Sequence, residues 1–68
     1  MGSIEKAIHE STEVRRHNGQ CEYGEWIPLT DSDDLPAAVV EAVTDEVVEG
    51  NDAGEVVVGG RTWVYRRS

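Results

Sequence analysis

The chain has 68 residues, and its fourteen acidic and six basic side chains give it a net charge of −8. A chain of this length buries only about 60% of the surface that it exposes when unfolded, so it forms one small core. The sequence therefore predicts a single domain over residues 1–68 and leaves little room for the deep cleft of an enzyme. Cys21 is the sole cysteine, which excludes an internal disulfide and a cysteine-based metal cage.

The composition carries a resemblance. Five of the six basic residues are arginine, Lys6 is the only lysine, and phenylalanine is absent. This pattern resembles small acidic proteins of the halophilic archaea, and it matches no functional family. The resemblance implies a salt-adapted protein, because molar salt shortens the Debye length to about 3 Å and screens the self-repulsion of the acids. An acidic protein that binds a basic partner is the alternative.

The sequence offers no targeting or membrane signal. Residues 1–3 are not followed by the apolar segment of a signal peptide. The longest apolar run covers residues 35–40 and is much shorter than a transmembrane helix. We therefore expect a cytoplasmic protein without a membrane partner.

The first predicted element is a short helix over Ser3–Ser11, with Ile4 and Ile8 at helical spacing and Ser3 as N-cap. Two structures compete for the segment that follows. A hairpin around Asn18-Gly19 is favoured by the β-branched residues before it, whereas a longer helix over Ser3–His17 would use Gly19 as its C-cap.

The hairpin is the preferred interpretation, and it specifies a register. A two-residue type I′ turn at Asn18-Gly19 pairs His17 with Gln20 and Arg15 with Glu22. Further along the second strand, Gly24 is suited to a β-bulge that redirects Trp26.

A central helix is predicted over Asp34–Glu49. Asp33 or Asp34 supplies the cap, Pro36 occupies the first turn, and Gly50 ends the helix. Glu46 breaks the amphipathic pattern and is expected to reach water near the helix end. The apolar face is formed by Leu35, Val39, Ala42, Val43 and Val47.

The chain closes with a second predicted hairpin around Gly59-Gly60, which pairs Val58 with Arg61 and Val56 with Trp63. The predicted fold class is α+β: a small antiparallel sheet of two hairpins, with the central amphipathic helix on one face and a short N-terminal helix.

The arginines provide the main candidate site. They occur only in the hairpins and the C-terminal tail, in the same strands as the aromatic residues. Arginine and aromatic side chains on a sheet are typical of single-stranded nucleic-acid binding. The alternative is that the rings form the core while the arginines pair with Glu13, Glu22 and Glu55. The candidate binding surface consists of Arg15, Arg16, Arg61, Arg66, Trp63 and Tyr65.

Other chemistry is poorly supported by the sequence. His9, His17 and Cys21 are the only soft metal ligands. His17 and Cys21 could meet across the predicted turn, but a metal site needs a third ligand, which would have to be His9 or a carboxylate. The acids from Asp31 onward do not complete a calcium loop, because Pro36 stands where a glycine is needed. We expect no cofactor, no metal and no catalytic residues.

The leading functional hypothesis is a non-catalytic protein-interaction or regulatory module. Its partner is another protein or a second copy of the chain, and its valine-rich hairpin provides an edge that a partner strand extends. The alternative hypothesis is a nucleic-acid-binding module.

Overall fold

A computed structural model describes residues 4–31 and 33–67. Two helices and four strands lie in one mixed α+β unit, and the antiparallel sheet has the strand order β2-β1-β4-β3. This architecture confirms the predicted fold class. The elements in chain order are α1 (Ile4–Ser11), β1 (Thr12–His17), β2 (Glu22–Pro28), α2 (Ala37–Val48), β3 (Ala53–Val58) and β4 (Arg61–Arg67).

The hairpin is confirmed over the longer first helix. Helix α1 ends at Ser11, whose hydroxyl donates a hydrogen bond to the carbonyl of Ala7 at 2.8 Å. Strand β1 begins at once with Thr12 and pairs with a strand on either side. These two ladders explain why the segment is extended. The predicted N-cap, Ser3, lies outside the described residues.

The predicted register of the first hairpin is wrong. His17 pairs with Glu22 rather than Gln20, so residues 18–21 form a four-residue loop instead of a two-residue turn. A type I′ turn needs positive φ at both central positions, and among the described residues only glycines adopt it. The Asn18 side chain closes the loop instead, since its Oδ1 accepts the backbone N–H groups of Gln20 and Cys21 at 2.9 Å.

The predicted bulge at Gly24 is confirmed. Val14 pairs with Ile27 and Arg16 pairs with Tyr23, so residues 24–26 lie opposite Arg15 alone. Gly24 has a φ of +79°, a conformation that favours glycine.

Helix α2 is shorter than predicted at its start. Pro36 occupies the N-cap position without a side-chain cap, so the predicted capping by Asp33 or Asp34 is wrong. The Asp31 carboxylate instead accepts the backbone N–H groups of both aspartates at 3.3 Å. The residue before a proline disfavours the helical conformation, which places Leu35 outside the helix but still in the core.

The end of α2 agrees with the prediction. Gly50 has a φ of +105°, and its N–H donates to the carbonyl of Val47 while the N–H of Asn51 donates to the carbonyl of Glu46, each at 3.0 Å. These two bonds form a Schellman motif. The Asn51 amide also donates to the Glu46 carboxylate at 2.8 Å, in a solvent-exposed position.

The second hairpin has the predicted register throughout, with Val58 opposite Arg61 and Val56 opposite Trp63. Side chains alternate between a face in the core and an open face, on which Val57 remains 70% exposed. The buried apolar core contains Ile8, Val14, Leu29, Leu35, Val39, Val43, Val47, Val56, Trp63 and Tyr65. No described helix is long and apolar enough to cross a membrane.

Candidate binding surfaces

The structure divides the predicted arginine surface between two places. Trp63 and Tyr65 retain only 4% and 2% exposure, so their rings belong to the core and are not accessible for stacking on a base. Arg16 shares their face of the sheet, whereas Arg15 and Arg66 project from the open face. The sequence pattern placed all five residues in one surface, and the structure does not.

The open face carries a cluster of one tryptophan and two arginines, and the predicted binding surface did not include the tryptophan. The bulge brings Trp26 beside both arginines of this face: the guanidinium carbon of Arg66 lies 3.9 Å from the centre of the Trp26 ring, and that of Arg15 lies 5.6 Å from it. Arg15 also donates to the bulge carbonyl of Gly24 at 3.0 Å. The sequence signal for this cluster was Gly24, which predicted that Trp26 would be redirected.

Carboxylates balance the charge of the two arginines beside Trp26, Arg15 and Arg66. Arg66 forms an ion pair with Glu13 at 3.1 Å, and Arg15 forms one with Glu22 at 3.6 Å. Both pairings follow the alternative that the sequence left open. Because the guanidinium groups already have anionic partners, this cluster offers little charge to a phosphate.

A different concavity lies at the end of the sheet where the two hairpin turns meet. We call it the hairpin-end cleft; its volume is about 340 Å³. Arg16 and Arg61 contribute the charged groups, and Trp63 forms part of the wall. The cleft is lined by Arg16, His17, Asn18, Gly19, Tyr23, Gly60, Arg61, Thr62 and Trp63.

A groove of about 610 Å³ lies between the two helices. Leu29, Leu35 and Val40 give it an apolar floor, and glutamates from both helices stand at its rim. Beside it, His9 and Thr44 share a hydrogen bond of 3.0 Å between Nε2 and Oγ1 that joins α1 to α2. This bond gives His9 a structural role.

The remaining predicted ligands do not assemble. Cys21 is exposed in the first hairpin loop, and the Nδ1 atom of His17 accepts the backbone N–H of Gly19 at 3.0 Å. Across residues 4–31 and 33–67, no group of three or more histidine, cysteine or acidic side chains is placed to hold a metal ion.

The two outer edges of the sheet differ in how open they are. Strand β2 ends at Pro28 and contains the bulge, two features that hinder a further strand from pairing. Strand β3 has neither feature, and its ladder with β4 is regular from Ala53 to Val58. The β3 edge is therefore the open edge of the sheet.

The register shows which backbone groups of β3 point outward. Val58 and Arg61 close the two-residue turn as a hydrogen-bonded pair, and the bonding alternates from there along the ladder. The hydrogen bond from the Arg67 N–H to the Asp52 carbonyl, at 2.9 Å, occurs where this alternation predicts a hydrogen-bonded pair. The N–H and C=O groups that point away from β4 therefore belong to Ala53, Glu55 and Val57.

Comparison with known proteins adds no relative. No protein-family model, no curated protein and no solved structure matches the chain.

Proposed function

We propose that this protein is a non-catalytic interaction module that binds an extended segment of a partner protein as a fifth strand beside β3. The observation that carries the proposal is the contrast between the two sheet edges. A partner strand needs a straight row of free backbone donors and acceptors, and β3 offers such a row at Ala53, Glu55 and Val57.

The charge of the chain favours a basic partner. Glu55 is exposed at the middle of the open row, whereas Asp52, which precedes the strand, is paired with Arg67 at 3.7 Å. The whole chain carries a net charge of −8. A lysine- or arginine-rich segment is attracted to this edge, and apolar residues in the same segment can cover Val57.

A second copy of the chain is a weaker candidate for the same edge. Two copies bring together two net charges of −8, and their β3 strands place acidic residues near one another. Salt-dependent self-association is therefore an alternative outcome of the experiment below.

The working environment forms part of the proposal. The acid excess and the near absence of lysine support a module adapted to a salty cytoplasm. In that solvent the charge attraction is short-ranged, so the backbone hydrogen bonds of the added strand carry more of the affinity.

Nucleic-acid binding has less support. Trp63 and Tyr65 are buried, and Arg15 and Arg66 are paired with carboxylates. We do not propose it as the function of this protein.

The test uses hydrogen exchange and amide NMR in about 1 M potassium chloride, where self-repulsion is screened. The probe is a peptide of alternating lysine and valine, with a peptide of alternating glutamate and valine as its control. In the free protein we expect fast exchange at Ala53, Glu55 and Val57, and slow exchange at Val56. The basic peptide should slow exchange at the three outward amides at a lower concentration than the acidic peptide does.

A pair of variants isolates the edge. Val57→Pro removes one outward N–H without removing a bond to β4, whereas Val57→Thr keeps the N–H and changes only the side chain. The proline variant should lose peptide binding while the threonine variant retains it. Equal binding by both variants, or peptide shifts located away from β3, would exclude the β3 edge. Concentration-dependent protection without peptide would identify a second copy as the occupant.

A further inference from the structure

The hairpin-end cleft is unusual in a protein of this charge. Fourteen acidic side chains are distributed along the chain. Among the described residues that line this cleft, none is acidic, whereas two are arginines and one is a histidine. The lining of the cleft is therefore positively charged, and it is separate from the outward groups of β3. Acidic side chains are nearby, because Arg16 also lines an adjoining cavity that contains Glu25 and Asp34.

Neither arginine of the cleft forms an ion pair with a residue in 4–31 or 33–67. The ion pairs that the structure describes involve Arg15, Arg66 and Arg67, but neither Arg16 nor Arg61. Arg16 lies over the Trp63 ring, with its guanidinium carbon 5.6 Å from the ring centre. This stacking holds the group in a fixed position but does not neutralise its charge.

Arg16 also has an unsatisfied donor. Its Nε atom is buried and has no hydrogen-bond partner among the described residues. Because this atom is closed off from solvent, an anion in the cleft would bind the terminal nitrogens of the Arg16 guanidinium rather than Nε.

Neighbouring groups add neutral donors. The N–H of Gly19 donates to Nδ1 of His17 at 3.0 Å, so the neutral imidazole carries its proton on Nε2. The phenol of Tyr23 and the amide of Asn18 also line the cleft. Donors of this kind beside two guanidinium groups suit the several acceptor oxygens of a tetrahedral anion.

We propose that the hairpin-end cleft binds a phosphate group, held by the guanidinium groups of Arg16 and Arg61. The volume of about 340 Å³ accommodates phosphate with a small substituent rather than a large ligand. The ligand is either free phosphate or a small phosphate monoester. Tyr23 is 41% exposed at the rim, and its ring can stack on a nucleobase, so it would favour a nucleotide.

The experiment is an NMR titration of the whole chain with potassium phosphate at constant ionic strength in about 1 M salt, which screens non-specific attraction. The amides of Gly19, Gly60 and Arg61 and the Nε–H of Arg16 report on the cleft. We expect saturable shifts at these groups. Parallel titrations with glycerol phosphate and adenosine monophosphate identify the source: tighter binding of the nucleotide that disappears in Tyr23→Leu indicates a nucleotide.

Three variants with the same change of charge separate the cleft from general attraction. Arg16→Gln and Arg61→Gln should each weaken phosphate binding by about tenfold, the effect of losing a charge-assisted hydrogen bond. Arg67 lies outside the cleft, so Arg67→Gln should change the affinity for phosphate by less than about twofold. Arg61 is exposed at the start of β4, so its variant remains informative even if Arg16→Gln disturbs the packing on Trp63. Shifts that do not saturate, or equal weakening by Arg61→Gln and Arg67→Gln, would overturn the proposal.

Discussion

The hydroxyl of Tyr65 lies directly above Gly54 on the neighbouring strand. A Cβ atom built on Gly54 would be 3.1 Å from the Tyr65 hydroxyl oxygen and 3.3 Å from Cζ of the same ring. The two residues are register partners in the β3–β4 ladder. Glycine at this position therefore provides the space that the buried tyrosine occupies.

Replacing Gly54 with alanine should destabilise the protein. Alanine is normally the better strand residue, but here the added methyl group forces the Tyr65 ring to move, and overpacking costs about 1–3 kcal/mol. Urea unfolding followed by circular dichroism measures the change. In a Tyr65→Phe background the closest contact is absent, so the cost of Gly54→Ala should be smaller there. An equal cost in both backgrounds would show that the strain lies elsewhere.

The buried Tyr65 should also make the unfolding free energy fall at high pH. Burial raises the pKa of Tyr65 above its ordinary value of about 10, and the negative charges of Glu46 and Asp52 raise it further. The folded state then binds a proton more tightly than the unfolded state, so this contribution is complete below about pH 10 and is lost as pH rises through the folded pKa. Unfolding free energy measured from pH 8 upward should fall more steeply in the parent than in Tyr65→Phe. Parallel curves would contradict the prediction.

Two buried threonines should respond in opposite directions to valine. The Thr12 hydroxyl is buried without a hydrogen-bond partner among the described residues, whereas the Thr44 hydroxyl donates to the Val40 carbonyl at 2.6 Å and bonds to His9. Thr12→Val removes an unsatisfied group and should raise the unfolding free energy by about 1 kcal/mol. Thr44→Val breaks a satisfied network and should lower it by a similar amount. A loss of stability in both variants would indicate that Thr12 has a partner in solution.

Stability should increase with salt. The structure describes three ion pairs, all with partly exposed side chains, so salt has little favourable pairing to screen. The repulsion among fourteen acids is much larger and is also screened. We expect the melting temperature to rise by at least about 5 °C between dilute buffer and molar potassium chloride, equivalent to about 1 kcal/mol in a domain of this size.

A charge variant provides the control for this measurement. Glu41→Gln removes one exposed acid from α2 and should reduce the salt dependence without changing the core. Equal melting temperatures at the two salt concentrations would remove the support for salt adaptation.

The two glycine-containing turns show how far the sequence alone was informative. Gly59 and Gly60 both adopt positive φ, so the two-residue turn formed and the whole register of the second hairpin followed from it. Asn18-Gly19 has the same local signature, but the asparagine side chain bonds to the backbone and lengthens the loop. Residue propensities do not distinguish these outcomes, because side-chain capping and positive φ are both favourable for asparagine.

The predicted arginine surface shows a second limit of prediction from the sequence. Strand alternation correctly grouped Trp63 with Tyr65, but alternation alone does not tell which face the helices cover. The bulge then shifted the register of β2 and brought Trp26 to the opposite face. The location of an arginine surface therefore depended on tertiary packing and on the size of a local irregularity.

The unequal edges of the sheet also limit the size of any assembly. A sheet with two open edges can add copies at both sides and polymerise into a fibre. Here the bulge and Pro28 hinder growth at β2, so the sheet can be extended only from β3. A second copy that pairs through its own β3 would consume that edge and leave only the two hindered β2 edges outside. Self-association through β3 would therefore stop at a dimer rather than continue into a fibre.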